Sequence, residues 1–78
     1  MNKIIHWWHD SSGRHTCHEN IKGASFDKSL LGEIREVDGF WRIKLKDEVA
    51  WRGEYKNKFG AMKALEAEVG GRQLNDYD

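Results

Sequence analysis

The four histidines of this 78-residue chain, His6, His9, His15 and His18, fall together with its single cysteine, Cys17, in the run HWWHDSSGRHTCH. Imidazole and thiolate are ligands that zinc prefers, and a thiol beside an imidazole is also a pair used in nucleophilic catalysis. Asp10-Ser11-Ser12-Gly13 interrupts the run with turn-forming residues, so the ligating side chains belong to the two arms of an expected hairpin. A four-residue loop sets His9 opposite Arg14 and gathers His6, His15 and Cys17 on one face. A three-residue loop, Ser11 to Gly13, slips the pairing by one and gathers His9, His15 and Cys17 instead. Either trio would accept zinc or another transition metal as a cofactor. The competing expectation is a polar surface strand of His and Trp, with Cys17 as a small buried hydrophobe.

The remaining chemistry is sparse. The spacing matches no familiar structural zinc pattern, and a strand in so short a chain offers Cys17 no evident oxyanion site. The carboxylates are scattered; Glu66 and Glu68 stand two apart on an expected helix and do not face each other. Gly70-Gly71 ends a helix rather than opening one, so it is no phosphate-binding loop. No residue is assigned a catalytic role, and the expectation is a non-enzymatic binding protein.

Composition narrows the partners. Thirteen Lys and Arg balance thirteen Asp and Glu, with 33% charged and 38% hydrophobic residues, which fits a single folded domain over residues 1–78 rather than a disordered segment. A neutral chain binds nucleic acid well only if its cations collect on one face. Four Trp supply apolar bulk to a small core and belong to the residue type most enriched at binding hot spots. One cysteine forms no intrachain disulfide, the opening MNKIIHWWHD lacks a secretory pattern, and no apolar run is long enough to span a membrane. A cytoplasmic protein without a membrane partner is expected.

The elements that must position these residues follow from period and turn signals. Residues 1–19 read as the amino-terminal hairpin, and residues 20–31, aperiodic and holding Gly23, Ser25 and Ser29, as a loop with at most a short helical turn. Residues 32–55 read as a three-stranded meander, with Asp38-Gly39 as its first turn. Alternation places Trp41, Ile43 and Leu45 on a core face, and Arg42 and Lys44 on a wet face. A three-residue loop would bring Val49 and Trp51 into the core and leave Arg52 outward beside Arg42. Residues 57–69 read as a helix capped by Asn57, with Ala61, Met62, Leu65 and Val69 toward the sheet, and 70–78 as a polar tail. The predicted fold is α+β: a small antiparallel sheet, amino-terminal hairpin plus meander, with one carboxy-terminal helix packed on it.

Residues 32–68 resemble the three-strand-plus-helix DNA-binding domain of plant ethylene-response factors and of the arm-binding region of tyrosine integrases. Trp41-Arg42, Gly53 to Tyr55 and Ala61 to Ala67 follow in the order of the Trp-Arg strand, the Gly-aromatic step and the Ala-rich helix of that domain. The resemblance implies DNA contact by Arg35, Arg42, Lys44 and Arg52 from an exposed sheet face.

The whole chain resembles, as a class, the small phage-encoded accessory proteins that include anti-CRISPR and other anti-defence inhibitors. That resemblance implies stoichiometric docking on a host protein or nucleoprotein complex of a bacterial cell, with Trp7, Trp8, Phe40, Arg42 and Arg52 at the contact surface. Alternatives are a sequence-reading DNA-binding domain and a small zinc-binding domain. Exposed strand edges would also permit a homodimer.

Overall fold

Strand β1 (Lys3–His9) turns back at Asp10 into β2 (His15–Glu19) in the computed structural model, which describes residues 3–73. Asp10 sets the register. Its Oδ1 accepts from the Ser12 amide at 3.0 Å, the Ser12 hydroxyl at 2.7 Å and the Arg14 amide at 3.0 Å, while its own amide donates to the Arg14 carbonyl at 3.0 Å. These bonds hold the carboxyl below its ordinary range. The three-residue loop is therefore the one adopted, and His9 stands opposite His15, Trp8 opposite Thr16 and Trp7 opposite Cys17.

After a single turn of helix, α1 (Phe26–Ser29), capped by the Ser25 hydroxyl, the chain enters β3 (Leu30–Val37). The expected loop thus does hold a helical turn, and β3 begins two residues before the meander was expected. Asp38 and Gly39 both take positive φ, 55° and 86°, the tight turn their sequence demands, and β4 (Phe40–Leu45) pairs back on β3. Strand β5 (Arg52–Tyr55) follows, then α2 (Lys58–Val69), capped by Asn57 as expected and ended at Gly70.

The hairpin and meander join through β2 and β3 into one six-stranded sheet of order β5-β4-β3-β2-β1-β6. Its last member corrects the polar tail: Gly71–Gln73 form β6, parallel to β1 with Gly71 opposite Lys3, so the sheet is mixed rather than wholly antiparallel. Residues 74–78 of that tail lie outside the described residues.

Helix α2 lies across β3 and β4 and reaches β5 and β6. Between helix and sheet Ile5, Cys17, Ile34, Ile43, Ala61 and Leu65 are buried, with Trp41, Leu45, Met62 and Val69 packed against them. Gly32 allows the helix this close approach: a Cβ there would stand 2.9 Å from the Lys44 carbonyl oxygen and 3.1 Å from a Leu65 methyl. No described helix is long and apolar enough to cross a membrane.

Candidate binding face

Strand alternation sorts the sheet into cross-strand rows, and the rows decide which predicted residues meet. One row, His9–His15–Ile34–Ile43–Arg52, faces α2, and the next, Trp8–Thr16–Glu33–Lys44, faces away from it. The four histidines are consequently split between the two faces.

On the helix side, His9 and His15 bring their Nδ1 atoms to 2.6 Å. Cys17 shares their face but lies buried in the core, and burial, followed by the nearby Glu66 charge, pushes its thiol up to about 12. On the open side, His6 stacks on His18 at 5.5 Å between ring centroids. The expected trios do not assemble, because β alternation separates His6 from His15 and burial removes Cys17. Among the described residues no three His, Cys, Asp or Glu side chains converge as a metal-binding group.

His18 organises the amino-terminal end of the open face. It is buried, its Nε2 lies 2.8 Å from Thr16 Oγ1 and its Nδ1 3.1 Å from Ser29 Oγ, and the Ser29 hydroxyl donates to the Phe26 carbonyl at 3.2 Å. Since that hydroxyl proton is committed, Ser29 accepts from His18, which assigns the Nδ1–H tautomer and leaves Nε2 to accept from Thr16. This chain seats α1 on β2. Burial, the neighbouring His6 and Arg14 hold the imidazole below its ordinary value against a smaller opposing effect of the Phe26 backbone.

Seating α1 here creates an apolar concavity. Six large apolar side chains are exposed among the described residues, and three of them, Trp8 (56%), Ile21 (48%) and Phe26 (42%), line one hollow of about 240 Å³ together with His6 and His18. Trp8 meets Phe26 edge-on at 6.5 Å and His18 lies 4.4 Å from the Phe26 ring. Of the two neighbouring tryptophans, Trp8 is thus exposed at the hollow. Trp7 is not: it points to the helix side, half-buried, and its indole N–H donates to Glu66 Oε2 at 2.9 Å. Phe26 and Ile21 escaped sequence reasoning because they sit in an aperiodic segment, where no alternation signals a face. The one local clue was Ser25, whose hydroxyl caps Lys28 and turns the chain at Phe26.

The cations on the open face are largely matched. Glu33 receives Arg14 at 3.2 Å and Lys44 at 3.6 Å, and Lys44 also lies 4.9 Å from the Trp51 ring centroid. Arg42 donates to the Gly53 carbonyl at 2.9 Å, lies 3.8 Å from Glu54 and stands 6.0 Å from the exposed Phe40 ring. Arg35 is exposed opposite Arg42 and has no ion pair among the described residues.

Arg52 departs from this group. Gly53 takes a φ of 84°, the ladder shifts, and Arg52 turns to the helix side beside Ile43. There its guanidinium bonds both Glu68 oxygens, at 2.6 and 2.7 Å, and both Glu48 oxygens at 3.1 Å. The same irregular connection keeps Val49 out of the core, at 96% exposure, and leaves Trp51 against Lys44. The open face therefore carries Arg35, Arg42 and Lys44, without Arg52.

This chain matches no protein-family model, no curated protein and no solved structure.

Proposed function

We propose that this chain is a non-catalytic binding protein that docks stoichiometrically, through the open face of its sheet, on a larger protein or nucleoprotein assembly of a bacterial host, in the manner of the small phage-encoded inhibitors. The observation that carries the reading is the clustering of Trp8, Ile21 and Phe26, exposed together around one hollow. Exposed aromatics grouped at a concavity, rather than scattered singly, are what an interface anchor requires. Chemistry argues the same way: the one thiol is buried and held in its protonated form, which makes it a poor nucleophile.

Charge specifies the partner further. Arg14, Arg35, Arg42 and Lys44 stand against Glu19, Glu33 and Glu54 on this side of the sheet, and Arg35 has no ion pair among the described residues, so an acidic group of the partner would be received at Arg35. The test is affinity capture of the tagged chain from bacterial lysate, with and without nuclease, followed by the same capture with Trp8→Ala and Phe26→Ala. A defined complex that resists nuclease and is lost in both variants supports the reading. A complex retained by both variants would remove the open face from the account.

Duplex DNA is the second reading, and the Arg35–Arg42 cross-strand pair favours it. Direct binding would then weaken with salt by about 0.9 log units per log unit of salt for each phosphate contacted. A flat response, or no duplex shift at low salt, would dismiss it.

A further inference from the structure

The geometry points to His9 and His15 as a two-imidazole chelate for one divalent transition-metal ion, with copper(II) preferred. This site lies on the helix-side face and is independent of the binding face.

The two histidines occupy a directly opposed position in the antiparallel β1–β2 ladder. The ladder's hydrogen bonds run through the even-numbered residues of β1, since the Ile4 carbonyl accepts from Asn20 and the Asp10 amide donates to Arg14. His9 and His15 are therefore a non-hydrogen-bonded pair, the kind whose side chains approach most closely. Their rings are also oriented: Trp7 stacks nearly parallel to His9, at 10° and 6.4 Å, and Trp41 lies 5.5 Å from the His15 ring. Two nitrogens are thus brought together on rigid elements before any ion arrives.

At 2.6 Å the Nδ1 atoms share one proton, so one ring donates and the other accepts. Binding requires the donor ring to move its proton to Nε2 and both rings to turn slightly, so that the two Nδ1 lone pairs converge on an ion beside the line that now joins them; no proton is released overall. Metal–nitrogen bonds of about 2.0–2.1 Å place cis nitrogens about 2.9 Å apart at a right angle and about 3.3 Å apart at the tetrahedral angle. The 2.6 Å spacing belongs to the shared proton and must widen toward either value on binding, so the choice of ion follows the affinity order of nitrogen ligands, which is highest for copper(II). The remaining positions fall to water.

The electrostatic surroundings favour neutral ligands. Burial and the Lys58 ammonium hold both imidazoles below their ordinary value, and His9 acts on His15 in the same direction, with Asp10 opposing at His15, so protons compete weakly at neutral pH. Lys58 repels a bound dication as well, so its removal should strengthen the site.

Titration of tryptophan emission with copper(II) chloride, then nickel(II) and zinc(II), tests the inference, because Trp7 and Trp41 flank the site. Saturable one-to-one quenching is expected, tightest for copper(II). His9→Ala and His15→Ala should each weaken it by on the order of 100-fold, the scale of losing an intramolecular second ligand. His6→Ala should leave it unchanged and Lys58→Gln should tighten it, with circular dichroism reporting that each variant is folded. Absence of saturable quenching, quenching that survives both His9→Ala and His15→Ala, or its loss in His6→Ala would overturn the site.

Discussion

The indole nitrogen of Trp7 donates to Glu66 Oε2 at 2.9 Å, fastening the amino-terminal hairpin to the carboxy-terminal helix. Glu66 is 5% exposed, and the same oxygen accepts from Gln73 Nε2 at 2.9 Å while Lys63 lies 3.7 Å from the other. One carboxylate thus ties β1, β6 and α2 together.

Glu66→Ala leaves the Trp7 and Gln73 donors without their acceptor. The cost should be about 1–3 kcal/mol, the usual range for an orphaned buried polar group. Glu66→Gln keeps an acceptor oxygen and should lose less. Urea denaturation of the two variants measures the difference, and equal losses would show that the carboxylate does not join the elements in solution.

Gly32→Ala inserts a Cβ between the Lys44 carbonyl and Leu65. The strand pair must part at the Lys44 carbonyl and the helix must lift at Leu65, at a cost of about 1–3 kcal/mol. Thermal melting checks this against Gly13→Ala, where a Cβ would meet nothing within 4 Å but the positive φ still strains the turn. The Gly32 variant should lose its core packing signature, seen in near-ultraviolet circular dichroism, whereas the Gly13 variant keeps it.

Stability should depend on pH in one direction. His9, His15 and His18 are all held below the ordinary histidine value of 6.5, chiefly by burial. The unfolded chain therefore binds protons at a higher pH than the folded one, and stability rises with pH wherever the unfolded state holds more protons. Urea midpoints should be level above about pH 7 and decline as pH falls through 6.5 toward the folded-state values. His18→Gln should flatten part of this decline, and an unchanged profile in that variant would remove His18 from it.

Cys17 should be silent toward Ellman's reagent in the folded protein at mildly alkaline pH and react fully in denaturant. Its burial and raised pKa both suppress the thiolate. Rapid labelling of the folded chain would contradict the buried position.

Much of the fold was legible because alternation and turn chemistry are local. Asp38-Gly39, the Trp41–Ile43–Leu45 stripe and the Asn57-capped helix all stand where their residues predict. Elements fixed by distant partners were not legible. Strand β6 is three residues without alternation, and it exists because Gly71 fits against Ile5, where a Cβ would come within 2.5 Å of a methyl carbon. Arg52 changed faces because Gly53 bends the ladder, a backbone event that a period-two reading cannot contain. The candidate face was half legible: Trp8 stood out as an aromatic on a hairpin, whereas Phe26 acquires its place only when the buried His18–Ser29 bond seats α1.

In the proposed function the hollow around Trp8 and Phe26 anchors the partner. It is tested by the affinity of the captured partner for Trp8→Ala, Phe26→Ala and Phe59→Ala, the last truncating a still more exposed aromatic on α2. The first two should each lose at least about 2 kcal/mol of binding, roughly 30-fold, as hot-spot residues do, while Phe59→Ala binds as the parent does. Unchanged affinity in both Trp8→Ala and Phe26→Ala, with loss in Phe59→Ala, would move the interface from the hollow to the helix.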